Sequence, residues 1–435
     1  MTITPFDSQM FAELFGDPEV AALFSDRAVI AAMLDVEMAL AKVQARLGLI
    51  PQKACDQIFQ GLQSFSPDPV QLAQGTGSFG VPVPALLKTA REVLSEEAGH
   101  YLHWGPTSQD IVDTAMVLRL SKIAAILEGR IQAVLEEIEG LAALHATTLM
   151  VARSRWQQAV PTTFGHKVAQ WAEALKRHQE RWAQLRPRLL VLSLAGAGGT
   201  LAVFGNKARE VEKQLAAELQ LDLSQGPWHT QRDVIAELAG WFSMLTGSLG
   251  KIGQDFLLMA QSEVAEILFP TGGGSSTMPQ KSNPIGAEVL VTLSRLNAGL
   301  VGLVHQGQIQ EHERGGAGWM LEWLVLPQMA VAAAVALKHL HRLLRGMEVN
   351  AERMKTNLEQ SNGLALAEAA VFALAAHMSK TAAQDLVKAA CQESRRTNEH
   401  MVDILSRQVE HPIDWQRLKD PRNYTGIATE RKTSC

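Results

Sequence analysis

Apolar residues along this chain recur at alternating intervals of three and four over long stretches, the spacing that lines one face of an α-helix. The longest seam runs Val117, Leu120, Ala124, Leu127, Ile131, Val134, Ile138 and Leu141, starts after Thr107 and contains no proline. It predicts one long bundle helix. A second seam, Val168, Trp171, Leu175, His178, Trp182, Leu185 and Leu189, predicts another, disturbed near its end by Pro187. Further helical stretches are expected at 230–268, 284–312 and 327–346, with an earlier one over Ser25–Gly48. Strand-like alternation is nearly absent, so the fold class expected is all-α with a central long-helix bundle.

Three stretches are anticipated: a mixed helical N-terminal domain over 1–105, the central long-helix domain over 106–349, and a small C-terminal helical domain over 350–435. Helices this long carry more apolar stripe than short neighbours can cover. A bundle shared between subunits is therefore expected, with a monomeric bundle as the alternative.

Composition narrows the partners. The 435 residues are 47% hydrophobic and 20% charged, ordinary for a soluble globular protein, and 6% aromatic with two Tyr, which suits helical packing. Forty basic against 45 acidic residues leave a net charge of −5, which disfavours nucleic acid and anionic membrane surfaces and makes any anionic ligand depend on a local basic pocket. Cys55, Cys391 and Cys435 are too few and too scattered for a disulfide framework or a zinc site, and no cofactor is expected. The N-terminus lacks the charged and apolar regions of a secretory signal, and no run reaches the ~18 apolar residues of a spanning helix. A reducing cytoplasm is the expected compartment.

Chemistry concentrates in a few polar runs. Gly274-Ser275-Ser276-Thr277-Met278-Pro279-Gln280-Lys281-Ser282-Asn283-Pro284 sets a serine in a glycine-rich loop with a lysine six residues on. Gly272, Gly273 and Gly274 allow backbone conformations closed to other residues and bring N–H groups near an oxyanion. Asn283 before Pro284 reads as an N-cap and first helical position, pointing a helix N-terminus at the same loop. The run suits proton transfer beside an anionic substrate.

Four other runs have plainer readings as well. In His103-Trp104-Gly105-Pro106-Thr107-Ser108-Gln109-Asp110, Thr107 and Asp110 form a capping box, while Thr107 and Ser108 also place two hydroxyls where a carboxylate is favoured. Arg153–Thr163 is either a solvated interhelix turn or a polar binding loop. Trp228-His229-Thr230-Gln231-Arg232-Asp233 is explained equally well as a capped helix start. Gln310–Trp319 resembles a metal cluster only superficially, because His312 has no second His or Cys at ligand spacing.

Gly274, Ser275, Met278, Lys281 and Asn283 match the Gly-Ser-x-x-Met-x-x-Lys-x-Asn pattern of the fumarase/aspartase superfamily, and the chain resembles that superfamily over nearly its whole length, including Leu34–Ala41 and Asp420–Gly426. Within it, Leu185–Leu192, Trp228–Asp233, Glu311–Arg314, Trp319 and Glu322-Trp323 are similar to the bacterial 3-carboxy-cis,cis-muconate cycloisomerase family. Where the amine-eliminating lyases carry Thr-His, this chain has Ser154-Arg155 followed by Trp156. Where adenylosuccinate lyases carry phosphate-binding serines, it has Gly315, Gly316, Ala317 and Gly318.

The resemblance implies a three-domain fold whose long helices assemble into a tetrameric core, with active sites shared between subunits. The reaction implied is reversible lactonisation of 3-carboxy-cis,cis-muconate, a small tricarboxylate, to 4-carboxymuconolactone in protocatechuate degradation. Ser275, Lys281 and Asn283 would be catalytic. His103, Thr107, Ser108, Arg155, Trp156, Gln157, Thr162, Gln231, Arg232 and Arg314 would bind substrate. The alternatives are an adenylosuccinate-type or other fumarate-releasing C–N lyase, a non-catalytic structural protein on the same scaffold, and a helical interaction scaffold.

Overall fold

The computed structural model describes residues 4–270, 272–274, 277–278 and 281–429. The elements that matter here are α1 (Asp26–Arg46), α2 (Ser108–Leu144), a hairpin of β1 (Leu149–Ser154) and β2 (Gln157–Thr163), α3 (Phe164–Leu189), α4 (Asp233–Met259), the two-residue strands β3 (Gly273–Gly274) and β4 (Ser282–Asn283), α5 (Ile285–Gln306) and α6 (Ala317–Gly346). Shorter helices and a two-residue strand pair, Ile267–Leu268 with Glu348–Val349, make up much of the rest, and the fold is predominantly helical as expected.

The periodic seams are buried. On α2, which at ~1.5 Å per residue spans about 55 Å, seven of the eight seam positions are buried and Leu141 is half-buried. All seven positions of the second seam are buried on α3, which runs two residues past Pro187. Each fully buried Leu, Ile or Val of such a seam contributes roughly 1.5–3 kcal/mol. Helix α1 starts where Ser25 accepts a hydrogen bond from the Ala28 N–H, and it is left through Gly48 at φ 66°.

Some boundaries differ from expectation. Helix α4 stops at Met259 and α5 at Gln306, while α6 begins at Ala317, ten residues early, with Pro327 inside it. Its first turns hide their period because the buried face, Trp319, Glu322, Leu326 and Met329, includes a carboxylate. The segment read as an interhelix turn is an antiparallel hairpin registered from Leu149↔Thr163 to Ser154↔Gln157. Val151, Val160, Thr162 and Thr163 favour strand, and Pro161 is tolerated because a two-stranded ribbon is all edge. Helices α5 and α6 are also long and apolar enough to cross a membrane by length and composition, contrary to the expectation that no stretch would be. Most of α6 is buried within the protein, as the core helix of a globular bundle would be.

Contact density divides the chain into two compact units. One comprises Met1–Ile131, Arg177–Leu249 and Thr292–Lys338; the other comprises Gln132–Lys176, Gly250–Val291 and His339–Cys435. The first has a large core that includes Met33, Ile58, Leu86, Ile111 and Trp319. In the second, Leu366, Leu374, Val387, Met401 and Leu405 form a separate core inside the C-terminal stretch. The division into three sequential domains stays a proposal.

Candidate active site

In the first unit, the candidate residues gather where the chain enters α2. His103 has φ 64° and Gly105 φ 102°. At Gly105 a Cβ would lie 2.5 Å from the Phe204 ring, so glycine is required there by both conformation and space. His103 Nδ1 lies 2.6 Å from Glu37 Oε1, a buried carboxylate on α1. Burial disfavours the charged imidazole, but Glu37 outweighs it and the His103 pKa is raised. With Nδ1 held by Glu37, Nε2 remains as the ring's second hydrogen-bonding atom.

Asp110 is the hub of this corner. Its buried carboxylate accepts from the Thr107 N–H at 2.8 Å, the Ala195 N–H at 2.8 Å, the Gly196 N–H at 2.9 Å and His229 Nε2 at 2.7 Å. Only half of the capping box is made, because the Thr107 hydroxyl instead accepts from Arg314 Nη1 at 2.6 Å. Arg314 Nη2 donates to the Ala197 carbonyl at 2.6 Å. Thr107 and Arg314 are thus brought together, and Ser108 lies beside them half-buried with no side-chain partner among the described residues.

Arg232 does not fit the substrate-binding role expected of it. Its Nη1 and Nη2 donate to Asp113 at 2.7 and 3.2 Å, Nε donates to Glu322 at 2.8 Å, and Nη2 also donates to Glu322. Its guanidinium stacks 4.7 Å from the Trp228 ring centroid, and its side chain is 1% exposed. Trp319 Nε1 and Gln109 Nε2 donate to Asp113 as well, at 2.9 and 3.2 Å. Burial works against the Arg232 charge, but Asp113 and Glu322 outweigh it and raise its pKa, so the guanidinium stays protonated. Arg232 is a buried structural cation, whereas Gln231 beside it is exposed.

In the second unit, the hairpin carries Arg155 and Trp156 at its tip with φ 49° and 63°, a two-residue turn with both positions left-handed. Neither residue is glycine, and Trp156 is 84% exposed. Such a conformation is strained for a bulky side chain. Two residues earlier, Arg153 is pinned in a bidentate pair to buried Glu266 at 2.7 and 2.8 Å. Arg155 makes no ion pair among the described residues, and Gln157 is exposed. Trp156 and Thr162 line a groove of about 1040 Å³ together with Lys167, Lys251, Asp255 and the segment Asn423–Ala428.

Asp255 ties the two lysines and Trp171 Nε1 together, the indole at 2.8 Å and Lys167 at 3.5 Å. Burial lowers the Lys167 pKa. With two ammonium groups on one carboxylate the cluster keeps a positive charge, which suits an anionic ligand.

Ser275 lies outside the described residues. Lys281 is exposed, and Asn283 in β4 pairs with Gly273 in β3. The first turn of α5 bonds to the Pro284 carbonyl, so Pro284 holds the cap position and Asn283 sits one residue further out than expected. The glycines act through space: Gly273 and Gly274 are extended, while a Cβ on Gly272 would lie 2.7 Å from the Asn283 carbonyl oxygen and one on Gly273 2.8 Å from Ile285.

Sequence reasoning missed Glu37, the hub role of Asp110, and the Lys167–Lys251–Asp255 cluster. A lone glutamate inside the apolar face Met33, Val36 and Leu40 was the signal for the first.

Residues 16–297 match the family model described as lyase. The chain is 38% identical to 3-carboxy-cis,cis-muconate cycloisomerase of Acinetobacter baylyi over 433 residues, with 96% of each chain covered. It superposes on the 3-carboxy-cis,cis-muconate lactonizing enzyme of Pseudomonas putida with a TM-score of 0.90 at 37% identity, covering 97% of both chains. A fumarate lyase from Mesorhizobium superposes with the same TM-score, 0.90, at 34% identity and 96% coverage of both chains.

Proposed function

The chain belongs to the fumarase/aspartase superfamily of lyases, and from that premise we propose that it closes 3-carboxy-cis,cis-muconate reversibly to 4-carboxymuconolactone. The observation that carries this reading is the full-length likeness to enzymes of that activity. Arg155-Trp156 in place of the expected histidine agrees with it. A guanidinium does not give up its proton at neutral pH, and a resonance-stabilised carboxylate leaving group needs little protonation to depart.

In this reaction the substrate's own carboxylate adds across a double bond, so no external nucleophile is needed. The enzyme holds the diene folded, stabilises the dianionic aci-carboxylate, and delivers one proton to carbon. Ser275 is assigned the proton: donor in lactonisation, base in the reverse direction. Its alkoxide needs stabilisation by loop N–H groups and the N-terminus of α5, which begins two residues past Asn283. Lys281 supplies positive charge and Asn283 a neutral hydrogen bond. Thr107, Ser108, Gln157 and Thr162 hold carboxylates, with Arg314 orienting Thr107 and His103 acting through Nε2 as a second donor.

Active sites in this proposal are completed by loops of different copies in a homotetramer. Helix α5 supports that assembly: it is apolar along most of its length, yet most of it is not buried within one chain, with Ala298, Gly299, Gly302 and Leu303 exposed.

The test is direct assay of the purified protein with 3-carboxy-cis,cis-muconate, following loss of the conjugated diene in the ultraviolet. Ser275→Ala should cut turnover by about 10²–10⁴-fold with helical content intact. No diene loss, with fumarate released from a succinylated amine or thiol instead, would overturn the proposal in favour of a fumarate-releasing lyase, the reading that the Mesorhizobium likeness favours.

A further inference from the structure

A cavity of about 580 Å³ opens among α1, α2 and α6 in the first unit, lined by none of the residues assigned above to substrate. Met33, Leu72, Val112, Met116, Leu120 and Leu326 give it an apolar wall. Polar side chains interrupt that wall, Asp26, Thr76 and Glu322 among them, and two others have groups left without a full set of partners. Arg119, on α2, is 8% exposed, and its guanidinium faces no carboxylate: Nε donates to the Ala115 carbonyl one turn back at 3.2 Å, and Nη1 donates to the Leu23 carbonyl at 3.2 Å. The second is Trp323, whose Nε1 is buried without an acceptor.

The carboxylates nearest to hand do not neutralise this cation. Glu322 lines the cavity but is held by Arg232, and Asp26, exposed where α1 begins, makes no ion pair with Arg119. Burial pulls the Arg119 pKa down to about 10, which leaves it charged at neutral pH. A buried charge without a counter-ion is costly, and so is a buried N–H without an acceptor. A carboxylate in the cavity would supply the counter-ion that Arg119 lacks. The apolar wall rejects a fully hydrated inorganic anion and offers nothing to the second and third carboxylates of a tricarboxylate.

We propose that this cavity binds an apolar monocarboxylate, its head group on Arg119 and its hydrocarbon body against Met33, Met116 and Leu326. Its size lies within the ~300–1,000 Å³ of small-molecule pockets. The site is separate from the proposed catalytic residues and does not depend on which reaction they perform.

Titration calorimetry of the full-length protein with octanoate, and with 1-octanol as the uncharged match, tests this. Octanoate should bind saturably, and Arg119→Met should weaken it by about ten- to a hundred-fold while leaving 1-octanol within about threefold. Removing a cation that lacks a counter-ion should not cost the fold. Ala73→Phe, a change at an exposed lining position, should weaken both ligands and carries the test if Arg119→Met does not fold. Absence of saturable octanoate binding to the wild type, as when another copy of the chain fills the cavity, would overturn the proposal. So would octanoate binding that neither substitution weakens.

Discussion

Replacing Arg232 with methionine separates a scaffold role from a substrate role. The side chain is 1% exposed and makes two hydrogen bonds to each of Asp113 and Glu322, whose side chains are 0% and 1% exposed. Methionine fills much of the space but strands two carboxylates without a cation. Breaking a buried ion pair from one side costs about 3–5 kcal/mol, and losing the stack on Trp228 adds roughly 1–2 kcal/mol. Against a typical stability of about 5–15 kcal/mol, the variant should lose about a quarter or more of its margin. Adding Asp113→Asn and Glu322→Gln removes the stranded charges and should return over half of the loss. The assay is urea unfolding followed by circular dichroism at fixed protein concentration, with steady-state kinetics on the folded fraction. An unfolding free energy within about 1 kcal/mol of wild type, combined with a large rise in KM, would refute the scaffold argument and return Arg232 to the substrate.

Two further outcomes are expected. Arg155→Asn with Trp156→Gly places residues that accept left-handed backbone at the hairpin tip, so unfolding should shift in the stabilising direction by about 1–2 kcal/mol while turnover falls; a destabilised hairpin would contradict the strain argument. His103, with a raised folded pKa, contributes stability that is full below its unfolded value of about 6.5 and is lost as pH rises through the folded value. Glu37→Gln removes that contribution. The stability gap between wild type and variant should therefore shrink as pH rises, and a gap independent of pH would sink the assignment.

The long helices were legible because their buried faces obey one period over many turns, and α2 and α3 bury nearly every residue the spacing marked. The hairpin was not. Its strands are short, its tip is charged, and Pro161 reads as a breaker unless one knows that an edge strand leaves the prolyl nitrogen without a ladder to join. The Ser275 run was legible as a family motif, but the reason for its glycines was not. They were expected to supply unusual backbone angles, and at Gly272 and Gly273 they instead make room for a backbone oxygen and for Ile285.

The arginines show where local reading stops. Arg153 and Arg155 are two residues apart and chemically identical, yet Arg153 is spent on Glu266, 113 residues away, while Arg155 is left at an exposed tip. Arg232 is consumed by Asp113 and Glu322, which lie 119 and 90 residues from it. Arg119 is the inverse case, a buried cation that rests on two carbonyls and the Phe24 ring with no carboxylate counter-ion among the described residues. A motif gives the residue type at a position, but whether its charge is free for a ligand depends on which distant carboxylate reaches it first. For that reason the proposed substrate contacts that the geometry favours are those whose polar atoms the described residues leave unspent. Ser108, Arg155 and His103 Nε2 meet that condition, and Arg232 does not.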